Sequence, residues 1–247
     1  MIKLNARQQN ILLRLRKKED VQIETLSEHF QVTTQTIRRD VNQLCKAGYA
    51  RRIHGGVGLP AQLTNSSYQY RSDIQFDVKD QIAKKVANAI PDGSTIIMGI
   101  GTTVTRIAYY LKTKHRVITN NLQVVRILEM NPDIEVYIAG GLFRSQQQDV
   151  VGNNVTEFFN DFEADIGILG CAAVTSSHSA MEHETAEAEI SRCIVKNSRQ
   201  TWLVADATKW TISASVKVAS LSEFDKIYSN HTNLPSDLPL VPVNKTA

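Results

Sequence analysis

The sequence predicts two joined domains: a small, mainly helical one ending in a hairpin, and a larger α/β one with a mainly parallel sheet. Three observations carry this. Apolar residues recur at helical spacing through the first 44 positions and then give way to a short basic strand pair. From 95 to 205, short β-branched runs alternate with helical patterns, the signature of a parallel sheet fed by crossover helices. Charge divides at the same boundary. Residues 1–58 hold 11 Lys/Arg against 5 Asp/Glu, whereas the rest of the chain carries a net of −3.

A chain of 247 residues accommodates both domains. Its 42% hydrophobic and 21% charged content is that of a globular protein rather than a disordered one. Cys45, Cys171 and Cys193 lack the close spacing of a disulfide framework or a zinc cluster, and no cofactor or metal is expected. Met1 to Arg7 lacks the apolar core of a signal peptide, and no apolar run approaches the ~20 residues of a membrane span. The expectation is a cytoplasmic protein with no membrane partner. A basic module joined to a slightly acidic one suits a nucleic-acid reader with a separate second function.

The elements follow in order. A helix begins at Arg7, with Ile11, Leu12 and Leu15 on one stripe. A second fits Ile23–Phe30, with Leu26 and Phe30 inward and Glu24 near the positive end of its dipole. Gln31-Val32-Thr33 makes a tight turn, and Thr33 or Thr34 is the N-cap of a third helix. There Ile37, Val41 and Leu44 face the first two helices, leaving Gln35, Thr36, Arg38, Arg39, Asn42 and Gln43 outward. Lys46-Ala47-Gly48 closes the helix, with Gly at the left-handed exit.

That outer face has the chemistry of a DNA groove. Arg can hold guanine bidentately, Gln and Asn can hold adenine, and Thr can touch a thymine methyl or a phosphate. Arg38 and Arg39 stand about 100° apart, so one reads a base edge while the other grips phosphate. Asp40 either positions one of these arginines or is a solvated helix residue. Tyr49 to Ile53 reads as a strand, and His54-Gly55-Gly56-Val57 turns it into a second. A hairpin after two such helices makes a winged helix-turn-helix, with Arg51, Arg52 and His54 at phosphates or the minor groove. The expected DNA-binding set is Thr34, Gln35, Thr36, Arg38, Arg39, Asn42, Arg51, Arg52 and His54.

Residues 7–56 resemble the DNA-binding domain of DeoR-type bacterial regulators. The likeness rests on T-I-R-R-D, Thr36 to Asp40, and R-x-H-G-G, Arg52 to Gly56, in the family's order and spacing.

Residues 59–78 read as a linker, with little apolar periodicity, Pro60 and Asn65-Ser66-Ser67, and Tyr68, Tyr70 and Phe76 as anchors. The α/β domain is expected at 79–233. It opens with a helix at 79–90 that Pro91-Asp92-Gly93 stops. Strands follow at Thr95–Met98, 117–119, 135–139, 165–169 and 201–205. Between them lie helices at 104–111, Leu122–Leu128, around Phe158-Phe159, and at 186–197. Residues 234–247, with three prolines, are expected as a loose tail.

Ligands in such sheets bind at the carboxyl ends of the strands. Those ends are Gly99-Ile100-Gly101-Thr102-Thr103, Asn120-Asn121, Gly140-Gly141, and Asp206 with Lys209. A Gly-rich turn running into a helix offers backbone N–H groups and Thr hydroxyls to a phosphate. It is neither a Walker loop, lacking Gly-Lys-Ser/Thr, nor a dinucleotide fingerprint, lacking the third Gly. Lys209 adds a cation. The run from Glu182 to Glu189 fails as a zinc motif because position 187 is Glu where a second His is needed. It reads instead as an acidic first helical turn with solvated carboxylates, one or two of which face a ligand's hydroxyls.

The second domain also resembles the DeoR family, so the likeness spans residues 5–230. The resemblance implies a fold similar to ribose-5-phosphate isomerase and a phosphorylated sugar or polyol as effector. It makes Gly101, Thr102 and Thr103 the phosphate loop. Asn120, Asn121, Gly141, Arg144, Glu182, Glu184, Glu187 and Lys209 become the rest of the pocket. The runs I-G-T-T, T-N-N-L, A-G-G-L-F-R-S and G-I-L-G look most like the family's glycerol-3-phosphate regulon repressor branch. The chain departs from the family pattern at Gly99, usually Asp, and at Thr175 and His178, usually Asp and Gly of a turn. Ile212 also stands where a basic residue is common.

The function expected is a repressor of a sugar or polyol catabolic operon. A homo-oligomer, dimer or tetramer, would set two recognition helices about 34 Å apart on double-stranded operator DNA. A phosphorylated metabolite, with glycerol 3-phosphate the first choice, would release it. The competing reading is a sugar-phosphate isomerase with an accessory DNA-binding domain, its base drawn from the acids at 182–189. Because Gly99 removes another carboxylate, no catalytic residue is expected. An activator on the same scaffold is a third reading.

Overall fold

The computed structural model describes residues 4–17, 20–58 and 68–243. The chain divides into two compact units, Met1–Ile74 and Gln75–Ala247.

The first unit runs α1 (Ala6–Lys17), β1 (Asp20–Gln22), α2 (Ile23–Phe30), α3 (Thr34–Lys46), β2 (Arg51–Ile53), β3 (Gly56–Gly58) and α4 (Tyr68–Asp73). Ile11, Leu26, Ile37, Val41 and Leu44 are fully shielded in one core. Each such side chain contributes roughly 1.5–3 kcal/mol by leaving water. The α2–α3 turn closes with Gln31 left-handed at φ 52°, and the Val32 N–H donates back to the Ser27 carbonyl. Thr33 is the N-cap: its Oγ1 accepts from the Thr36 N–H at 3.2 Å.

The wing has a strand that periodicity did not announce. β1 pairs antiparallel with β3, so the sheet order is β1-β3-β2. The paired glycines follow from that crowding. A Cβ on Gly56 would lie 2.5 Å from the Val21 carbonyl, and Gly55 sits at φ +71°. Of the expected linker, 59–67 lies outside the described residues. Beyond it, Tyr68–Asp73 forms a short helix, and the Tyr49 hydroxyl donates to Asp73 at 2.7 Å.

The second unit begins with α5 (Phe76–Ala89), β4 (Thr95–Met98), α6 (Thr102–Ala108), β5 (His115–Thr119), α7 (Leu122–Leu128) and β6 (Ile134–Ile138). A hairpin of β7 (Leu142–Arg144) and β8 (Asp149–Val151) follows, then α8 (Asn153–Asn160) and β9 (Ala164–Leu169). The chain continues through β10 (Ala173–Val174), β11 (Ser179–Glu182), α9 (Thr185–Lys196) and β12 (Ser198–Val204). It ends with β13 (Val216–Ser220), β14 (Lys226–Ser229) and β15 (Leu240–Pro242).

Seven strands form one parallel sheet, β15-β14-β12-β9-β4-β5-β6. Alternate residues feed two cores. Ile96, Met98, Ile168 and Trp202 pack with α5, α6 and α7, while Ile97, Ile118, Leu169 and Leu203 pack with α8 and α9. Burial on both faces is why these strands read as continuous apolar runs. β10, β11 and β13 make a separate antiparallel sheet.

Two expectations are corrected. α6 starts at Thr102 rather than 104, because Gly101, at φ +125°, turns the chain directly into the helix. The segment from 234 is not a loose tail up to Val243: β15 pairs with β14, Leu234 and Leu238 pack on the core, and Lys85 Nζ donates to the Pro242 carbonyl at 2.7 Å. The prolines there hid a strand at the sheet edge, where a missing N–H is tolerated.

The strand order has its switch point at β4 and β9, where open α/β sheets form their ligand crevice. β5 and β6 are added on one side of β4, and β9, β12, β14 and β15 on the other. The loops leaving β4 and β9 therefore diverge, which opens the sheet's carboxyl edge at that point.

Candidate functional site

On α3, Gln35, Arg38, Arg39 and Asn42 are exposed, while Thr34 and Thr36 are half-buried at its first turn. Successive residues turn by about 100°, so Arg39 points almost directly away from Ile37, Val41 and Leu44. Arg38 lies a quarter turn round, on the same edge as Asn42. Neither arginine pairs with Asp40. That carboxylate is buried and faces α1, accepting from Arg7 Nε at 2.5 Å, Gln8 Nε2 at 3.2 Å and Asn5 Nδ2 at 3.4 Å. Asp40 thus fastens α3 to α1, and both expectations for it, a clamp on a neighbouring arginine or a solvated residue, give way. On the wing, Arg51, Arg52 and His54 are all exposed, but Arg52 is engaged: its guanidinium donates to Asn42 Oδ1, from Nε at 3.1 Å.

In the second unit, Gly101, Thr102 and Thr103 enter α6 on the β4 side of the crevice, with both threonines buried. The first N–H groups of a helix have no carbonyl partner within it. Asn121 is committed to the scaffold. Its Oδ1 caps α7 at the Gln123 N–H, and its Nδ2 donates to Thr105 Oγ1 at 3.0 Å and the Gly99 carbonyl at 3.3 Å. Asn120, fully buried, donates to the Val150 carbonyl at 2.7 Å, while its Oδ1 accepts no hydrogen bond from a described residue. Gly141 meets a packing demand, since a Cβ there would lie 2.7 Å from the Val151 carbonyl.

Arg144 gathers the acids. It is bidentate to Asp149, at 2.9 and 2.6 Å, and reaches Glu184 at 2.8 Å and Glu187 at 2.9 Å. Burial alone would lower its pKa, but Asp149 and then Glu187 hold it above the ordinary arginine range. Glu184 and Glu187 also form the capping box of α9. The acidic turn is therefore not uniformly solvated. Glu182 and Glu187 are buried and Glu184 is exposed, and for Glu187 an arginine from a separate hairpin offsets the desolvation. One guanidinium facing three carboxylates leaves this end of the site negative.

Cys171 lies just past the carboxyl end of β9. Its thiol is pushed up to about 12, first by burial; Lys209 opposes this, and the Glu182 and Asp206 carboxylates add to it. Those groups therefore lie within electrostatic range of one another at the strand ends. Asp206 accepts from the Thr208 N–H at 3.0 Å and so orders the 3-10 turn, Ala207–Trp210, that carries Lys209. Among the described residues, no group of three or more His, Cys, Asp or Glu could hold a metal, and no helix is long and apolar enough to cross a membrane.

Reasoning from sequence missed Asp149 and Cys171. Asp149 reaches Arg144 only across a hairpin with no periodic signal. Cys171 lacks the spacing of a metal or disulfide motif, and its one sequence signal is its position after an apolar run at a strand end. Two departures lie outside the crevice. Thr175 and His178 form the β10–β11 turn, where Thr175 Oγ1 accepts from the Ser179 N–H and His178 adopts a left-handed φ of 56°. Gly99 is packed, since a Cβ there would meet Ile194 Cδ1 at 2.9 Å.

Residues 7–62 match the DeoR-like helix-turn-helix domain, and 74–231 match the DeoR C terminal sensor domain. The chain belongs to the DeoR family. This DeoR-family regulator is 36% identical to the glycerol-3-phosphate regulon repressor of Escherichia coli K12, over 93% of this chain and 92% of that one. It is 35% identical to the transcriptional repressor CsqR of the same organism, over 92% and 87%. Among solved structures, a ribose 5-phosphate isomerase from Methanocaldococcus jannaschii aligns over 55% of this chain and 54% of its own, at 14% identity and a TM-score of 0.40.

Proposed function

We propose that this DeoR-family protein is a repressor that holds palindromic operator DNA as a homo-oligomer and releases it when a small phosphorylated polyol or sugar fills the sensor domain. The observation that carries the effector class is the two-ended character of the crevice. At one end stands the Gly101-Thr102-Thr103 turn, suited to a phosphate, and Lys209 adds a cation within electrostatic range of Cys171. At the other, Arg144 holds Asp149, Glu184 and Glu187, whose excess negative charge repels phosphate and accepts hydroxyl hydrogen bonds. Asn120 Oδ1 offers a further acceptor. Arg144 is then a positioning residue rather than a phosphate ligand. Glycerol 3-phosphate carries both chemistries, and the 36% identical relative is named for it, so it is the first effector to test.

On DNA, Arg39, opposite the core stripe, is assigned to a base edge and Arg38 to phosphate. The isomerase reading is set aside, because relatives matched over 93% and 92% of this chain are named repressors. A regulator of this kind works in the cytoplasm. To empty an operator, the effector must distinguish the bound and released conformations by a few kcal/mol.

The test is a thermal-shift panel of phosphorylated sugars and polyols, run beside salt-dependent binding to the protein's own upstream DNA. Glycerol 3-phosphate should stabilise the protein and weaken DNA binding. Both effects should vanish in a Thr102→Ala/Thr103→Ala variant. An undiminished shift in that variant would refute the pocket, and an absence of salt-sensitive DNA binding would refute the repressor.

A further inference from the structure

We infer that Arg52 of the wing is not a phosphate grip but a specificity-determining positioning residue, which holds Asn42 with its amide donors outward and closes the adenine contact an asparagine could otherwise make. The inference rests on α3 being the helix that reads DNA.

The orientation follows from the sheet. Arg52 is paired with Val57, and directly paired residues point to the same face. Val57 is fully buried against the helical core, so Arg52 is turned toward the helices while Arg51 takes the opposite face. The crowded Gly55-Gly56 corner and the β1–β3 pairing hold that register. From there the guanidinium reaches Asn42 on the exposed edge of α3 and donates to its carbonyl oxygen through both Nε and a terminal nitrogen. A guanidinium has only donors, so the amide must present its oxygen to Arg52 and its NH2 group to solvent. Arg52 also lies close enough to Cys45, three residues further along α3, for its charge to act on that thiol.

An asparagine reads adenine by accepting from N6 and donating to N7 at once, which requires both amide atoms. With Oδ1 engaged, Asn42 retains donors only. It therefore suits the acceptor edge of guanine (O6, N7) or thymine (O4). Gln43 is engaged from the other side, by a single donor. Gln8 is fixed by the Asn5 N–H, which donates to its Oε1, and by Asp40, which accepts from its Nε2; that same Nε2 then donates to Gln43 Oε1. Gln43 Oε1 keeps a second lone pair, and the Gln35 oxygen makes no such contact with a described residue, so a bidentate adenine contact from α3 falls to these two rather than to Asn42.

The test is selection of binding sequences from a library of randomised half-sites. It would use the full-length protein, Arg52→Ala, Asn42→Ala and the double variant, with the salt slope of affinity measured for each. Arg52→Ala should shift the preference at one base pair toward adenine by roughly tenfold, the discrimination one bidentate contact supplies. Its salt slope should stay unchanged. In the Asn42→Ala background, Arg52→Ala should no longer move that preference. A phosphate-gripping Arg52 would behave otherwise: a shallower slope by about one and uniformly weaker binding with no change in base preference, which overturns the inference. A shift that persists without Asn42 overturns it as well. If Arg52→Ala binds weakly, lower salt restores affinity without altering base readout, and thermal unfolding confirms that the wing is intact. A helix other than α3 reading DNA would show as unchanged preferences in every variant, including Gln35→Ala.

Discussion

Replacing Arg144 by methionine keeps most of the side-chain volume and removes the charge that serves Asp149 and Glu187. Both carboxylates have 2% exposed side chains, and Arg144 itself has 14%. Breaking a buried ion pair by removing one partner costs about 3–5 kcal/mol, because the remaining charge stays desolvated. Glu187 retains a hydrogen bond from the Glu184 N–H at 3.3 Å, so most of the loss falls on Asp149. Glu184, with a side chain 49% exposed, adds no more than about 1 kcal/mol. For a unit the size of Gln75–Ala247, each kcal/mol moves Tm by about 2–4 °C, so the expected drop is roughly 6–24 °C. Calorimetry that resolves the sensor transition measures it. Arg144→Lys should fall in between, since an ammonium cannot reproduce the bidentate fork. Pairing Arg144→Met with Asp149→Leu should recover much of the loss, because an apolar pair carries no unpaired charge. A drop below about 2 °C, or a double variant no better than the single one, would refute the reasoning.

Three further expectations follow from the same geometry. Gly141→Ala should cost about 1–3 kcal/mol, read as a lower urea midpoint, because its Cβ would press against the Val151 carbonyl and Val150 Cγ1. Asp40→Ala should destabilise the first unit by about 1–2 kcal/mol, through the lost bonds to Gln8, Asn5 and the part-exposed Arg7. DNA affinity should then fall equally for all sequences at an unchanged salt slope; a sequence-selective loss would put Asp40 in direct contact with bases. Burial raises Cys171 from 9.0 and Tyr228 from 10.0, each to about 12. Both groups are easier to ionise when unfolded, so their contribution is fully present below about pH 9 and lost as pH rises toward 12. Urea midpoints at pH 8 and pH 10.5 should differ, with the alkaline one lower; equal midpoints would contradict the burial of these groups.

How far the sequence carried the fold is clear from individual elements. α2 occupies the residues that its apolar stripe marked, and α3 begins after Thr33, one of two caps the local pattern allowed. The five strands read as apolar runs are all present; β4, β9 and β12 are buried on both faces and leave a continuous apolar signature, whereas β6, at the sheet edge, keeps most of its apolar residues partly exposed. β1, β7, β8 and β10 are two or three residues long and leave no period to detect. β15, edge-bound and ending in Pro242, resembled a tail.

Side-chain chemistry divides along the same line. From local pattern alone came the groove-reading residue types on α3, the glycine turn before α6, the acids before α9 and the basic first quarter of the chain. Spacing on a helix or position at a strand end determines those features. Only the tertiary structure decided that Asp40 turns inward to α1, that Arg144 is spent on three carboxylates, and that Arg52 donates to Asn42 on the outer face of α3. Each of these depends on partners separated by a turn, a hairpin or an unannounced strand. A hydrogen bond is decided within about 3 Å, and sequence separation does not encode that distance.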